Sequence, residues 1–414
     1  MKLPEGWHNK LLGDLFTKIV VGYVGNVNDH YCDAAIGVPF YRTLNIRDGY
    51  FRHDDIRYVT PEFNDKNKKS QIENDDILIA RVGANLGMVC KATGLNRTSN
   101  MANAIIIKSK SAKNADPDFY TYFLLSTYGK SQIYAGAAGG AQGVFNTKLT
   151  QEIAVPVPPL AEQKKIAQIL SAWDKAISVT EKLLTNSQQQ KKALMQQLLS
   201  GKKRLLDENG VMFSGEWEVV RLKQLIHEEK KRKRDNHIQR VLSVTNHSGF
   251  VLPEEQFSKR VASEDVSTYK IVKKNQYGYN PSRLNVGSFA RLDNYDEGVL
   301  SPMYVVFSIN HERLNSDYFL NWMSSNEAKQ RIAGSTQGSV RDSVGFDALC
   351  SFSFSLPTLM EQQKIAAVLS AADAEITTLE KKLACLKEEK KALMQQLLTG
   401  KRRVKVEVED TVCA

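Results

Sequence analysis

A duplicated helix constrains the fold of this chain more than any other feature. The nonapeptide KKALMQQLL occupies residues 191–199 and returns unchanged at 390–398. Between 160–204 and 359–403, 26 of 45 positions are identical without a gap. A repeat spaced by 199 residues is much longer than a solenoid unit of roughly 20–50 residues. The sequence therefore predicts a globular domain followed by a helix, twice in succession.

The duplication extends into the globular segments at lower density. Trp7 near the start of the chain corresponds to Trp217, and residues 77–87 align with 277–287. Farther on, 105–107 aligns with 305–307. Sparse identity here, beside dense identity in the helices, indicates that the helices have one shared role. The two globes share a scaffold and differ in the side chains that they present.

The repeated segments have the pattern of a coiled coil. Both carry mostly apolar residues at alternating spacings of four and three. Lys191 and Lys390 interrupt the two patterns, and polar residues at such positions commonly set the register of pairing. We predict an antiparallel pair within the chain; the alternative is a coiled coil between two chains. The seam positions are Ile166, Leu170, Trp173, Ile177, Thr180, Leu184, Ser187, Lys191, Leu194 and Leu198, then Ile365, Leu369, Ala372, Ile376, Leu379, Leu383, Leu386, Lys390, Leu393 and Leu397.

Helix-end signals delimit both repeats. Pro159 and Pro357 stand just before them, where the missing amide of proline costs little. Gly201 and Gly400 follow at the position of a C-terminal cap. These signals predict two helices of roughly 35–40 residues, about 50–60 Å long.

Composition narrows the class of protein. The formal net charge of +10 favours a polyanionic partner such as DNA or RNA. No run of about 18 apolar residues is present, so no membrane span is expected. The five cysteines are scattered without CxxC spacing, which predicts neither disulfides nor zinc and is typical of a reduced cytoplasmic protein.

The globular segments mix strands and short helices. Residues 38–46, 76–80 and 104–107 have strand patterns separated by Gly and Asn turns. A helix is predicted to begin near Asp118, with 318–323 as its counterpart. The predicted fold class is α+β, with two mixed α/β domains and two long helices that form an antiparallel coiled coil.

Motifs that carry chemistry are weak. Asn280-Pro281-Ser282-Arg283 has only part of the Asn-Pro-Pro-aromatic loop of amino-methyltransferases, and no glycine-rich cofactor loop follows a strand. The glycine-rich stretch at 136–140 lacks the Gly-Lys-Ser/Thr ending of a phosphate loop. The seven histidines show no metal-ligand spacing. We therefore expect no catalytic residues, no cofactor and no metal.

Polar side chains near glycines are the candidates for binding. Arginine reads guanine, and asparagine or glutamine reads adenine, through paired hydrogen bonds at base edges. Glycine lets a backbone approach phosphate closely, although ordinary turn chemistry is the alternative for each residue. The basic run at 230–234 is either a solvated face or a phosphate contact. The candidates are Arg81, Asn85, Lys91, Gln142, Asn146, Lys148, Arg283, Asn285, Ser288, Arg291, Gln337 and Arg341.

The order globe, helix, globe, helix resembles the specificity (S) subunit of type I restriction-modification enzymes. The residues that carry the resemblance are PPLAEQKKIA at 158–167 and LPTLMEQQKIA at 356–366, each opening a long helix after a globe. The motifs Gly287-Ser288-Phe289 and Ser301-Pro302-Met303-Tyr304 are similar to parts of its target-recognition domains. The resemblance covers essentially the whole chain. It is specific for architecture, because target-recognition domains vary with the DNA they read.

The resemblance implies boundaries and partners. Target-recognition domains would span 1–155 and 206–355, spacer helices 156–205 and 356–405, and a tail 406–414. Each domain would read one half of a split site in double-stranded DNA. The helices would fix the gap and dock two methyltransferase (M) subunits, which bring S-adenosylmethionine, and a restriction (R) subunit could join. The chain itself would be a non-catalytic cytoplasmic protein. The alternatives are a coiled-coil scaffold and a methyltransferase with fused recognition domains.

Overall fold

The computed structural model describes residues 3–138, 144–233, 238–256, 266–336 and 343–406. The chain divides into two compact units. The first comprises 1–181 with 381–414, and the second comprises 182–380. Each unit therefore contains one globe, the beginning of the helix that follows it, and the end of the other long helix.

The first globe is built around a four-stranded antiparallel sheet in the order Ile19–Val21, Ala104–Ile107, Ile77–Ala80, Val89–Lys91. Both faces are buried, because successive side chains alternate across the sheet. Ile77 and Ile79 pack toward the helices, while Leu78 and Ala80 pack toward a second layer. The remaining strands are His8–Leu11, Val38–Tyr41, Ile46–Arg47, Tyr50–Phe51, Arg57–Val59, Gln71–Ile72, Ser99–Met101 and Ala154–Val157. The α-helices are Leu12–Leu15, Pro61–Lys66, Pro117–Leu125, Thr127–Ala138 and Thr147–Gln151, and the 3₁₀ turns are Asn28–His30, Thr43–Asn45, Lys68–Ser70, Gly83–Asn85 and Ser109–Ser111.

The second globe has the same central sheet in the order Ile226–Glu228, Val305–Ile309, Tyr277–Tyr279, Phe289–Arg291. The other strands are Glu218–Arg221, Ser243–Thr245, Gly249–Val251, Lys270–Lys273, Glu297–Leu300 and Ser353–Leu356. The α-helices are Pro253–Gln256, Ser316–Met323, Asn326–Thr336 and Phe346–Cys350, and the 3₁₀ helices are Leu222–Gln224 and Pro281–Val286.

Strand register confirms the residue correspondence between the two globes that the sequence predicts. Ile79 lies opposite Ile105 in the first sheet, and Tyr279 lies opposite Val305 in the second. Both pairs are related by an offset of 200, as the sequence alignment requires. A slip of one residue would turn every side chain to the wrong face, so the match is specific.

The long helices span Leu160–Leu198 and Leu359–Leu397, 39 residues each. Within the first unit Lys390 pairs with Asp174 at 2.5 Å and Lys387 with Glu181 at 2.8 Å, so the segments run antiparallel. Within the second unit Lys191 makes the equivalent pair with Asp373. The twenty predicted seam positions are all buried or half-buried. Antiparallel pairing is therefore confirmed within each unit.

The Glu-Gln dipeptide that opens each helix fastens it to its own unit. Glu361 is fully buried and accepts hydrogen bonds from Arg204 Nε at 2.6 Å and from Trp217 Nε1 at 3.0 Å. Gln362 accepts from the Asn315 amide at 2.8 Å and donates to the Arg313 carbonyl at 2.9 Å. The first unit repeats both arrangements. Its members are Glu162 with Arg403 and Trp7, and Gln163 with Asp116 and Asn114.

Local predictions were mostly confirmed. Gly201 and Gly400 have φ of 69° and 71°, the left-handed conformation of a helix cap. The helix expected near Asp118 is Pro117–Leu125. The strand expected over 38–46 was too long, because Thr43–Asn45 forms a 3₁₀ turn held by Asn45, which accepts from the Arg42 amide. Among the described residues no helix is long and apolar enough to cross a membrane.

Candidate nucleic-acid interface

In the first globe, two glycine-containing loops lie side by side. The first loop follows the strand Ile77–Ala80 and contains the 3₁₀ turn Gly83–Asn85. The second leads into the helix Thr147–Gln151. The Phe145 amide donates to the Arg81 carbonyl at 3.1 Å, which fixes one loop against the other. Polar side chains from distant parts of the sequence therefore reach one edge of the central sheet.

The second globe repeats this arrangement at equivalent positions. The 3₁₀ helix Pro281–Val286 follows the strand Tyr277–Tyr279, and Gly287 caps it with φ of 89°. The Val344 amide donates to the Pro281 carbonyl at 3.0 Å. Pro281 corresponds to Arg81 at an offset of 200, and Val344 to Phe145 at 199. The same backbone hydrogen bond thus joins the same two loops in both units. We call each such pair the paired loops.

Arg81 is the best-placed candidate for base recognition in the first globe. Its Nε donates to the Phe145 carbonyl at 3.4 Å, and its side chain is half-buried. No carboxylate of the described residues forms an ion pair with it. The two terminal nitrogens of the guanidinium remain available, and they provide the fork that pairs with the O6 and N7 atoms of guanine.

Asn85 lies beside Arg81 but is partly committed. Its Nδ2 donates to the Thr43 carbonyl at 3.2 Å. Recognition of adenine by asparagine needs both the amide nitrogen and oxygen. Asn85 would therefore release Thr43 before it could make that paired contact.

In the second globe, Arg283 and Asn285 are exposed on the 3₁₀ helix. Asn280 at the start of this helix accepts a hydrogen bond from the Ser282 amide at 3.0 Å, and Pro281 occupies the first helical position. The partial methyltransferase motif therefore acts here as a helix cap, which is ordinary for these residue types.

Lys91 and Arg291 occupy equivalent strand positions and are both engaged internally. Lys91 pairs with Asp118 at 2.6 Å and with Asp75 at 2.9 Å. Burial opposes its charged form, but these hydrogen bonds outweigh burial and raise its pKa. Arg291 pairs in the same way with Asp293 and Asp317, which raise its pKa against the effect of burial. The structure gives these two cations a role in holding each sheet to its neighbouring helix.

The remaining candidates divide into three groups. Ser288 is buried, and its hydroxyl donates to the Val244 carbonyl at 2.8 Å, so no face of it is presented to a ligand. Asn146 is exposed but caps the helix Thr147–Gln151 by accepting from the Leu149 amide, and Lys148 is exposed on that helix. Gln142, Gln337 and Arg341 lie outside the described residues.

The basic run at 230–234 is only partly exposed. Lys230, Lys231 and Arg232 are exposed, whereas Lys233 is 3% exposed, and Arg234 lies outside the described residues. Three adjacent solvated cations fit either interpretation of the run, a solvated face or a phosphate contact.

Sequence reasoning missed Tyr134 in the first globe. Tyr134 is 49% exposed, and its ring lies against Gly87, where a Cβ atom would come within 2.6 Å of the ring. Lys130, one turn earlier on the same helix, donates to the Gly87 carbonyl at 2.5 Å. An exposed aromatic ring therefore borders the paired loops. Only the close approach of the ring to Gly87 identifies it, because nothing in its sequence neighbourhood separates it from a core tyrosine.

The described residues hold no group of three or more His, Cys, Asp or Glu side chains placed to bind a metal. In the part of the paired loops that the structure describes, the candidate side chains are guanidinium, ammonium and amide groups. These groups can bind a ligand, and among them there is no pair suited to acid–base chemistry.

Comparison with known proteins identifies one family. The type I restriction modification DNA specificity domain matches residues 4–186 and 214–388, once for each unit's globe and the helix that follows it. The MjaVIII type I restriction enzyme specificity subunit of Methanocaldococcus jannaschii is 25% identical over 98% of this chain and 95% of its own length. The putative MjaX specificity subunit of the same organism is 26% identical over the same shares.

Solved structures show the same fold. The type I restriction-modification S subunit from M. genitalium matches with a TM-score of 0.56 at 12% identity, over 96% of this chain and 98% of its own. A chain from a type I R-M system, solved to explain complex assembly and conformational transition, matches with a TM-score of 0.51 at 15% identity, over 97% and 100%.

Proposed function

Because this chain belongs to the type I restriction modification DNA specificity family, we propose that it selects the DNA site of a type I restriction-modification complex, each globe reading one half of a bipartite site. The observation that carries the proposal is the repeated backbone hydrogen bond of the paired loops. Two domains that recognise different base sequences require the same loop framework with different side chains.

The contacts we propose follow from accessibility. Arg81 and Asn85 would reach base edges from the first globe, and Arg283 and Asn285 from the second. Asn146 caps the adjoining helix of the first globe, and Lys148 lies on it. Gln142, Gln337 and Arg341 stay candidates from the sequence alone. Lys230, Lys231 and Arg232 would contact phosphate, which positions a protein on DNA without reading it.

The proposal gives the chain no chemical step of its own. Two methyltransferase subunits would bring S-adenosylmethionine and modify the selected site, and restriction subunits could join them. With these partners the chain would act in the cytoplasm. Support comes from the similarity to specificity subunits.

The experiment that tests the proposal is methylome sequencing of a host that expresses this chain with its cognate methyltransferase subunit. We expect a single split motif to be methylated, with no methyl transfer by the isolated chain. DNA binding by the complex should weaken as salt rises, because phosphate contacts release counterions. Methyl transfer by the chain alone would favour a fused methyltransferase. Absence of salt-dependent DNA binding would favour a coiled-coil scaffold.

The helices are proposed to set the gap between the half-sites. Inserting about four residues, one helical turn, into both Leu160–Leu198 and Leu359–Leu397 should change the gap and preserve both half-sites. Methylome sequencing of the insertion variant provides the measurement. Altered half-sites with an unchanged gap would contradict this part of the proposal.

A further inference from the structure

The ring of Tyr134 lies on the stem of the loop that carries Arg81. The Gly87 amide donates to the Ala80 carbonyl at 2.8 Å, which closes the loop at the residue directly before Arg81. A Cβ atom on Gly87 would come within 2.6 Å of the ring carbon Cε1 of Tyr134 and within 3.3 Å of its hydroxyl oxygen. The aromatic ring therefore borders the stem from which Arg81 extends.

The turn beneath the ring is fixed without a hydrogen bond from Tyr134. Gly87 has a φ of 82°, in the left-handed region that favours glycine. The Lys130 ammonium donates to the Gly87 carbonyl at 2.5 Å and to the Asp48 carboxylate at 2.5 Å. The Tyr134 hydroxyl makes no hydrogen bond with the residues that the structure describes. The ring thus rests on a turn that other groups already hold.

The outer side of the ring is open to a ligand. Tyr134 is 49% exposed, and it stands in the last turns of the helix Thr127–Ala138. The residues that follow it to the end of the helix, 135–138, are three alanines and a glycine. No larger side chain of that turn shields the ring. An aromatic ring held from one side and open on the other can stack on any nucleobase, because every base has a π-face.

The second globe has no aromatic ring at this place. At the offset of 199 that relates these two helices, Ala333 corresponds to Tyr134, whereas Lys329 corresponds to Lys130. Among the described residues, a Cβ atom on Gly287, the counterpart of Gly87, would meet nothing closer than 3.7 Å. A ring that the shared loop framework required would occur in both globes. The aromatic ring therefore serves a purpose particular to the first globe.

We propose that Tyr134 stacks on a nucleobase of the first half-site, at a base step that opens when the DNA is bound, and that the second half-site has no such contact. This inference rests on the proposed function and deepens it, since it adds a contact with the face of a base to contacts with base edges. Pyrimidine–purine steps open most readily. The stacked base therefore belongs to such a step, and aromatic wedges at opened steps bend the duplex.

The first test uses the full chain with its cognate methyltransferase subunit and duplexes that carry the split site. A 5-iodinated pyrimidine replaces one pyrimidine at a time in both half-sites. Irradiation joins such a base to an aromatic ring stacked on it, and mass spectrometry identifies the joined residue. We expect a cross-link to Tyr134 at one pyrimidine–purine step of the first half-site and at no position of the second. This measurement needs no substitution in the protein.

The second test compares variants of the ring. Tyr134→Phe keeps the aromatic face and removes the hydroxyl, whereas Tyr134→Leu keeps apolar bulk over Gly87 and removes the aromatic face. The matched control is Tyr128→Leu, because Tyr128 is a 39% exposed tyrosine of the same helix, about 120° around its axis from Tyr134. Circular dichroism and thermal unfolding verify that each variant remains folded.

We expect Tyr134→Phe to bind the split site within about twofold of the parent and Tyr134→Leu to bind about tenfold more weakly or worse, as for the loss of one base stack. The control should bind like the parent. Exchanging the opened step for a stiffer one should weaken the parent and leave Tyr134→Leu little changed, since the variant no longer uses the opening.

Three results would overturn the inference and leave the proposed function intact. One is the absence of a cross-link between Tyr134 and any pyrimidine of the first half-site. Another is parental affinity of Tyr134→Leu, which would make the ring a packing group. The third is an equal loss for Tyr134→Phe and Tyr134→Leu, which would assign the effect to a hydroxyl contact with phosphate. A parent complex without salt-dependent DNA binding would instead overturn the proposed function, and this inference with it.

Discussion

In the first globe Ile77–Ala80 pairs with Ala104–Ile107 in the same register in which Tyr277–Tyr279 pairs with Val305–Ile309 in the second. The layer beyond this sheet differs. Among the described residues, the first globe adds a four-stranded mixed sheet and one strand pair, whereas the second adds two separate strand pairs. The central sheet is therefore the shared framework, and the surrounding layer and loops are where the two globes have diverged.

The paired loops differ in how firmly they hold their polar side chains. Arg81 is tethered by its Nε to the Phe145 carbonyl, and Asn85 by its amide to Thr43. Arg283 and Asn285 in the second globe extend into solvent. If these side chains contact bases as proposed, the tethered pair in the first globe would lose less entropy on binding than the exposed pair in the second.

Exchange of a whole globe has the largest expected effect on this comparison. Replacing residues 1–155 with the matching globe of a relative should change one half-site and leave the other intact. Contacts at well-separated bases contribute nearly independently, and a full set is worth about 4–10 kcal/mol over non-specific binding. Methylome sequencing measures the outcome. Simultaneous change of both half-sites would show that the globes do not read separately.

The two buried glutamates should differ in their effect on stability. Glu361→Ala leaves Arg204 and Trp217 without their acceptor, and Arg204 is only 20% exposed. We expect a loss of about 3 kcal/mol in unfolding free energy. Glu162→Ala should cost less, about 1–2 kcal/mol, because Arg403 is 44% exposed and solvent screens its charge.

Chemical denaturation measures both costs, and hydrogen exchange assigns each to its unit. Equal losses for the two variants would mean that the difference in exposure has no energetic consequence. The two buried glutamates would then contribute equally to the stability of their units.

Arg81→Ala should weaken binding by about 1–3 kcal/mol and relax specificity at one position of one half-site. Lys91→Ala is the matched control, since Lys91 is engaged by Asp118 and Asp75. We expect the control to lower stability without altering the base preference. A methylation profile over single-base variants of the site distinguishes them. Uniform weakening by Arg81→Ala, with a salt slope lower by about one, would make Arg81 a phosphate contact.

The smallest expected effect concerns an aromatic pair in reversed order. Phe119-Tyr120 of the first globe corresponds to Tyr318-Phe319 of the second. The Tyr120 hydroxyl donates to the Pro156 carbonyl at 3.2 Å, whereas the buried Tyr318 hydroxyl has no acceptor among the described protein groups. Tyr120→Phe should therefore lower stability by about 1 kcal/mol, and Tyr318→Phe should leave it unchanged or raise it. Thermal unfolding of the two variants provides the measurement; a loss at Tyr318 equal to that at Tyr120 would contradict the assignment.

Much of the fold could be predicted because its signals are local or periodic. The seam positions of both long helices, the caps at Gly201 and Gly400, and the alignment of 77–87 with 277–287 were confirmed. The strand predicted over 38–46 was too long, because Asn45 closes a turn through its side chain. Propensity alone does not foresee that competition with strand pairing.

The candidate site was harder to predict. Arg81 and Lys91 stand ten residues apart with similar sequence surroundings, yet one presents its guanidinium and the other is held by two carboxylates. Asp118, which distinguishes them, is brought to Lys91 only when the helix Pro117–Leu125 packs on the sheet. Ser288, a predicted candidate beside Gly287, is buried and donates to the Val244 carbonyl, which likewise follows from tertiary packing.

The sequence by itself determined the duplication, the two long helices and their pairing, because identity and heptad spacing repeat along the chain and need no knowledge of distant contacts. Only the tertiary structure decided which polar residues face solvent. Strand register and helix packing join residues separated by tens of positions, as the Phe145–Arg81 and Val344–Pro281 hydrogen bonds do. Burial and ion pairing depend on those long-range contacts, and sequence periodicity carries no record of them.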